Sequence, residues 1–198
     1  LFRSIIGIIF TRQLIMVEQG KKEEQSLQGI SRIAFLAGLM VTVTSFVFAL
    51  QVARPLWHNP VQPLSFLAVA IVAGFAMLII ILSILNKSAY IEISSNKLGK
   101  LGKIAGGFLL VQFLIVLSEM ITGLYPGGGS EAVIMQWLVT GTGAPFFWIQ
   151  MMAIVAGLVL LLNNKPGTIV IGSGISLFAI FMIKYNLLQA QLLNPLLN

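Results

Sequence analysis

The stretch FLLVQFLIVLSEMITGLY, residues 108–125, places one acidic residue, Glu119, inside an apolar run long enough to cross a membrane as a helix. A second run, residues 169–188, carries Lys184 at a comparable depth near the same end of its span. Charged side chains inside a bilayer are rare, and they commonly belong to a functional site or to an ion pair. These two residues are therefore the first candidates for a site within the membrane.

The composition of the whole chain is that of a polytopic membrane protein. Of its 198 residues, 58% are hydrophobic and 9% are charged, whereas roughly a quarter of residues are charged in soluble domains. The apolar runs lack the period-two alternation of a barrel strand, so the predicted fold is an all-α transmembrane helix bundle. Five spans are predicted, with a partial N-terminal span before them: 30–52, 63–85, 104–125, 144–162 and 168–188, after 1–17.

Residues 1–17 read as the tail of a preceding helix, because they have no small-residue cleavage site of a signal peptide. Most loops are short; the longer ones are 86–103 and the glycine-rich 126–143. We therefore expect residues 1–198 to form a single transmembrane domain, the C-terminal part of a longer bundle.

The basic residues indicate a topology. Alternate loops place nine of them on one face and two, Arg3 and Arg54, on the other. The nine are Arg12, Lys21, Lys22, Arg32, Lys87, Lys97, Lys100, Lys103 and Lys165. This bias predicts a multi-pass protein of the bacterial inner membrane with the first face cytoplasmic and the C-terminus periplasmic. It also explains the net charge of +6 without a nucleic-acid partner, since no basic stripe with interleaved aromatic residues is present.

The counts of cysteine and histidine limit the redox chemistry of the chain. Cysteine is absent and His58 is the one histidine, which excludes disulfides, iron–sulfur ligation and a haem held by two histidines within these residues. We expect no metal site, and any redox centre belongs to a partner subunit.

Glu119 and Lys184 are the strongest chemical candidates. Glu119 lies six residues before Tyr125, about 9 Å of helical rise from the end of its span. At that depth the carboxyl group is paired, protonated or facing a wet cavity, and each of these states suits proton handling. Lys184 either extends its ammonium group to the interface or forms an ion pair with Glu119.

The loop RPLWHNP, residues 54–60, holds further candidates on the predicted periplasmic face. Trp57 fits an interfacial aromatic belt. His58 titrates near neutral pH, so it is either a proton relay or a surface residue. The glycines 127–129 are interpreted first as a flexible connector and second as a lid over a site.

Small residues recur at four-residue spacing in the predicted spans. The pairs are Gly102 with Gly106, Ala70 with Gly74, and Gly172 with Ser176. Such pairs let helices approach closely in lipid, so we expect each pair to lie at a helix contact.

Several stretches, taken in order, resemble the membrane subunits of the polysulfide reductase or NrfD-like family. They are RPLWHNP at 54–60 with PLSFL at 63–67, LSEMITGLY at 117–125, APFFW at 144–148 and KYN at 184–186. The order and spacing of the stretches carry the resemblance, which covers roughly residues 30–191. Members of that family generally have eight or more helices, so the chain matches mainly their C-terminal half.

The resemblance implies a haem-free subunit that exchanges electrons between membrane quinone, menaquinone or ubiquinone, and an iron–sulfur protein at the periplasmic face. A molybdopterin enzyme or a multihaem cytochrome is implied beyond that protein. Arg54, Trp57, His58, Tyr185 and Asn186 are then candidates for the vicinity of the quinone. Glu119 and Lys184 are candidates for proton transfer or an ion pair.

Other function classes stay open at this stage. Proton conduction or support of the bundle by the region of Glu119 and Lys184 is as consistent with the residues as quinone binding. A secondary transporter would place the two charges at an ion site, although the spans show no inverted repeat and no helix broken at mid-membrane. The third class is a purely structural membrane anchor for a peripheral enzyme. Whether the chain itself takes part in catalysis is left open.

Overall fold

The computed structural model describes residues 29, 32–33, 46–47, 61–88, 93–125 and 129–192, with side chains described up to 190 and not for 129–131. Within these ranges the chain is helical and contains no strand. The five helices are α1 (Gln62–Lys87), α2 (Ser95–Gly123), α3 (Gly129–Val139), α4 (Ala144–Leu161) and α5 (Pro166–Leu192). All but α3 are long and apolar enough to cross a membrane. The predicted all-α membrane fold is therefore confirmed.

The hydropathic runs predicted four of these helices. The spans 63–85, 104–125, 144–162 and 168–188 correspond to α1, α2, α4 and α5, and α2 begins nine residues earlier than its apolar run. Ser94 caps α2 by accepting a hydrogen bond from the backbone N–H of Asn96, 3.4 Å away. The partial span 1–17 lies outside the described residues, as does 30–52 apart from 32–33 and 46–47.

Two predicted loops are shorter in the structure. The stretch 126–143 was expected to be a loop, and this is wrong for its centre, where α3 forms. The physical reason is an apolar segment after the glycines that buries Ile134, Met135 and Leu138 against the longer helices. The predicted loop 86–103 is shortened at both ends, because α1 continues to Lys87 and α2 starts at Ser95.

The long helices run alternately up and down. A Cβ built on Gly102, near the start of α2, would lie 2.8 Å from the carbonyl oxygen of Leu161 and 3.0 Å from Cγ2 of Ile169. The start of α2 therefore meets the end of α4 and the start of α5. This end, called here the lysine-rich end, carries Lys87, Lys97, Lys100, Lys103 and Lys165. The opposite end, where α1 begins and α2 ends, is called the polar end.

Two of the three predicted small-residue pairs lie at helix contacts. A Cβ on Gly106 would lie 3.1 Å from Leu162, and one on Gly172 would lie 2.8 Å from the Cβ of Leu160. Ser176 is fully buried beside Gly157. These approaches bring α4 into close contact with both α2 and α5.

The third pair was predicted wrongly. Ala70 and Gly74 are exposed, and a Cβ on Gly74 would meet no described atom within 4 Å. Four-residue spacing alone does not indicate which face of a helix is covered, because a lipid-facing stripe has the same period as a packed one.

Candidate functional site

A pocket with about 570 Å³ of empty space, part of it open to the surroundings, lies between the long helices at the polar end. Its polar lining residues are Gln62, Ser65, Gln112, Glu119, Gln150, Lys184 and Asn186. Its apolar lining residues are Val116, Met135, Leu138, Phe147, Ile183 and Leu187.

Regular helix geometry gathers these residues. On α2, Gln112, Val116 and Glu119 are separated by four and three residues, so they share one face. On α1, Pro63 stands in the first turn, where a proline suits a helix start. Gln62 therefore lies at the start of α1, at the polar end, and Ser65 lies about one turn further into the bundle.

Two hydrogen bonds between polar lining residues connect α1 to α2. The amide Nε2 of Gln62 donates to Oε1 of Glu119 over 3.1 Å. The hydroxyl of Ser65 donates to Oε1 of Gln112, also over 3.1 Å. Glu119 is half-buried and Gln112 is 1% exposed, so the polar row runs from the mouth of the pocket into the interior of the bundle.

A third hydrogen bond connects α4 to α5. Nδ2 of Asn186 donates to Oε1 of Gln150 over 2.7 Å, and both side chains are buried. Interhelical hydrogen bonds between polar side chains hold membrane helices together, typically by about 0.6 kcal/mol and up to about 1.7. The polar lining is therefore structural as well as available for chemistry.

Lys184 is held beside the carboxylate. Its Nζ lies 3.4 Å from the centroid of the Phe66 ring, within the distance of a cation–π interaction. Glu119 and Lys184 are near enough for their charges to attract each other. Both side chains are half-buried, so the mouth of the pocket carries one acidic and one basic group on neighbouring helices.

Some buried hydrogen-bonding capacity in the lining is not used within the protein. Among the described residues, no acceptor lies opposite Nε2 of Gln112 or of Gln150, and no donor lies opposite Oδ1 of Asn186. All three side chains are at least 95% buried. A buried polar group without a partner costs about 1–3 kcal/mol, so these atoms favour water or a polar ligand in the pocket.

The structure brings together three of the residues predicted from the sequence. Glu119, Lys184 and Asn186 line one pocket. Tyr185 does not line it; its ring lies 5.4 Å from that of Phe146 and 6.4 Å from that of Phe181, centroid to centroid. Successive residues of a helix point about 100° apart, which is why Tyr185 faces away from the pocket. Arg54, Trp57 and His58 lie outside the described residues.

Four polar lining residues were not predicted from the sequence: Gln62, Ser65, Gln112 and Gln150. A signal for two of them was present, because Gln112 and Gln150 are amides within strongly apolar runs. Gln112 also precedes Glu119 by seven residues, two helical turns on the same face. The two glutamines carry no charge, so a search for charged residues in the spans does not find them.

Metal ligands are sparse in the part of the chain that the structure describes. No group of three or more histidine, cysteine, aspartate or glutamate side chains is placed there to hold a metal ion. The polar groups that line the pocket are amides, a hydroxyl, an ammonium group and a single carboxyl group. This set is suited to hydrogen bonding and proton exchange.

Comparison with known proteins gives two relatives of low identity. One, from Halobacterium salinarum, is assigned as a membrane subunit of dimethyl sulfoxide reductase and is 27% identical over 110 residues, or 54% of this chain and 25% of the relative. The other is a selenate reductase subunit of Mesobacillus selenatarsenatis, 25% identical over 136 residues, or 66% of this chain and 32% of the relative. The matches thus span between a quarter and a third of these relatives.

The family comparison covers nearly the whole chain. The model of the family described as polysulphide reductase, NrfD, matches residues 7–195. This range contains all five described helices and every residue of the pocket lining. By this match, the protein belongs to the polysulphide reductase, NrfD, family, which is the family that its sequence stretches resemble.

Proposed function

We propose that this chain is part of the membrane subunit of a respiratory reductase complex, and that it helps to exchange electrons and protons between membrane quinone and a partner protein. The family match supports a membrane subunit, and the two relatives are named as subunits of dimethyl sulfoxide reductase and selenate reductase. The proposed partners are an iron–sulfur protein at the periplasmic face and, beyond it, a molybdopterin enzyme or a multihaem cytochrome.

The proposed orientation follows the charges. The lysine-rich end faces the cytoplasm by the positive-inside rule, and the polar end with its pocket faces the periplasm. This places the pocket on the same side as the proposed iron–sulfur partner. The proposed location is the bacterial inner membrane.

The lining of the pocket fits a quinone headgroup. The ring requires apolar walls, which Met135, Leu138 and Phe147 provide, and its oxygens require donors, which the unused amide N–H groups of Gln112 and Gln150 provide. A bound quinone would supply two-electron, two-proton redox chemistry. Every such turnover needs an ionisable group that leads protons to or from water.

Glu119 is the proposed proton carrier of the pocket. Its carboxyl group is half-buried at the mouth, with Gln62 donating to Oε1. That hydrogen bond orients the carboxyl group, while Lys184 stabilises its ionised form after the proton leaves. The observation that carries the proposal is this one carboxyl group at the head of a row of buried amides.

The test is a complex purified with Glu119→Gln. The amide keeps an oxygen that can accept from Gln62 but has no proton to exchange, so quinone-linked turnover should fall by about a hundredfold or more, the usual range for loss of a proton-transfer group. Electrons supplied directly to the partner by a soluble dye should still be used at the normal rate. Lys103→Gln, an exposed charge removed from the other end of α2, is the matched control.

Three outcomes contradict the proposal. Unchanged quinone-linked turnover would leave the chain a structural anchor. Equal loss of the dye-linked and quinone-linked rates would mean that Glu119 supports assembly rather than proton transfer. Ion uptake by proteoliposomes of the protein without its partners would favour a secondary transporter.

A further inference from the structure

The polar lining of the pocket has a definite depth. Gln112 is its innermost polar residue on α2, and Ser65 is its innermost on α1. The lining residues that are partly exposed, Glu119, Lys184 and Leu187, mark the mouth at the polar end. Among the described residues, the exposed part of the lining thus lies at the polar end.

Water fits the inner part of this pocket. Gln112, Gln150 and Asn186 line the pocket, and the Nε2 atoms of the two glutamines and Oδ1 of Asn186 have no partner among the described residues. A buried water is stable where two to four polar groups bind it, and this lining offers them. Ordered water would connect Gln112 to the carboxyl group of Glu119, two helical turns away.

Beyond Gln112 the interior of the described bundle is apolar except for Ser173 and Ser176. Val72, Ile79, Ala105, Leu109 and Ile154, called here the apolar plug, are fully buried and belong to one packed cluster. Gln112 lies nine positions after Lys103, about 14 Å along α2. The plug thus separates the pocket from the lysine-rich end.

Buried serines in this region do not provide a polar route. The hydroxyl of Ser173 donates to the carbonyl of Ile169 over 2.9 Å, and that of Ser176 donates to the carbonyl of Gly172 over 2.7 Å. Both hydroxyls are satisfied by the preceding turn of their own helix. A Cβ on Gly157 would lie 2.7 Å from Oγ of Ser176 and 3.3 Å from Leu109, so α2, α4 and α5 leave no room for water here.

We propose that the pocket, when no quinone occupies it, is a water-filled vestibule open to the polar end alone, and that the apolar plug blocks the passage of water and protons to the lysine-rich end. Protons move between Glu119 and the water at the polar end, and the four described long helices do not conduct them across the membrane. The role of the vestibule as a proton route rests on the function proposed above. Its access to water from one end depends only on how the helices pack.

The test uses single cysteines, since none of the 198 residues is cysteine. Ser65→Cys and Val116→Cys place a thiol in the pocket, and Val72→Cys and Ala105→Cys place one in the plug. The intact complex in sealed vesicles is treated with a small, charged, membrane-impermeant methanethiosulfonate, and modified peptides of this chain are identified by mass. Ser94→Cys, exposed beside the start of α2, reports whether the reagent reaches the lysine-rich end.

The expected result is labelling of both pocket thiols only in vesicles where Ser94→Cys is protected. The plug thiols should stay unlabelled in both orientations. Labelling of a plug thiol, labelling of a pocket thiol from the lysine-rich end, or no labelling of either pocket thiol would overturn the proposal. Two positions in each region guard against one variant that fails to assemble.

Thiol labelling measures access of water and needs no quinone turnover. If Glu119→Gln keeps full turnover while the pocket thiols label from one end, the proposed function fails and the vestibule stands. If Glu119→Gln loses turnover while a plug thiol is labelled, the function stands and the vestibule fails.

Discussion

Substituting Gly172 by alanine should loosen the contact between α4 and α5, the pair that carries the Gln150–Asn186 hydrogen bond. The new Cβ would lie 2.8 Å from the Cβ of Leu160, 2.9 Å from the backbone nitrogen of Leu161 and 3.0 Å from the carbonyl carbon of Leu160. Unstrained carbon contacts are about 3.5–4.0 Å. Two of the three atoms are backbone, so a rotamer change cannot relieve the overlap and the helices must separate by about 0.7 Å or more.

The expected loss follows from the cost of overpacking a closely packed contact, about 1–3 kcal/mol. Gly174→Ala is the matched control: it lies on the same helix, is exposed, and would have no described atom within 4 Å of its new Cβ. Alanine raises helix propensity equally at both positions. The difference in stability between the two variants therefore isolates the overpacking.

The assay is thermal or denaturant unfolding of the purified complex in detergent or lipid discs, compared for the two variants under the same conditions. Gly172→Ala should unfold at lower temperature or denaturant than Gly174→Ala. Equal stability of the two would refute the reasoning, because it would mean that α4 and α5 do not approach at Gly172 as closely as the structure has them.

Two further predictions concern the lining of the pocket. In a double-mutant cycle of Gln150→Ala and Asn186→Ala, the coupling energy from unfolding should be about 0.6–1.7 kcal/mol, the range for interhelical side-chain hydrogen bonds in membranes; a coupling of zero would contradict the 2.7 Å contact. Phe66→Leu should reduce stability by about 0.5–2 kcal/mol because the cation–π contact with Lys184 is lost. Phe66→Tyr keeps an aromatic face and should restore most of that stability, so equal effects of leucine and tyrosine would argue against the cation–π contact.

Hydropathy predicted the long helices because their length and composition are local properties of the chain. A run of about 20 apolar residues has one stable form in lipid, a helix that satisfies its own backbone. Hydropathy did not predict α3, because its apolar segment is too short to span a membrane. The helix is stabilised by contacts of Met135 and Leu138 with the rest of the bundle. Such a segment forms a helix because of its tertiary contacts.

The candidate site was predicted only in part. Glu119 and Lys184 stand out because charge is rare in the spans, and Asn186 came from the family resemblance. The pairing of Gln62 with Glu119 joins residues 57 positions apart, and that of Asn186 with Gln150 joins residues 36 apart. No local pattern encodes either distance.

The sequence by itself therefore determined the class of the protein, its long helices, its charge asymmetry and the depth of its two intramembrane charges. Each follows from the cost of exposing polar groups to hydrocarbon, which acts residue by residue along the chain. Only the tertiary structure decided that Glu119 and Lys184 share a pocket with buried amides and that an apolar plug underlies them. Those facts depend on which helix faces meet, and the packing of small residues such as Gly102, Gly157 and Gly172 decides that.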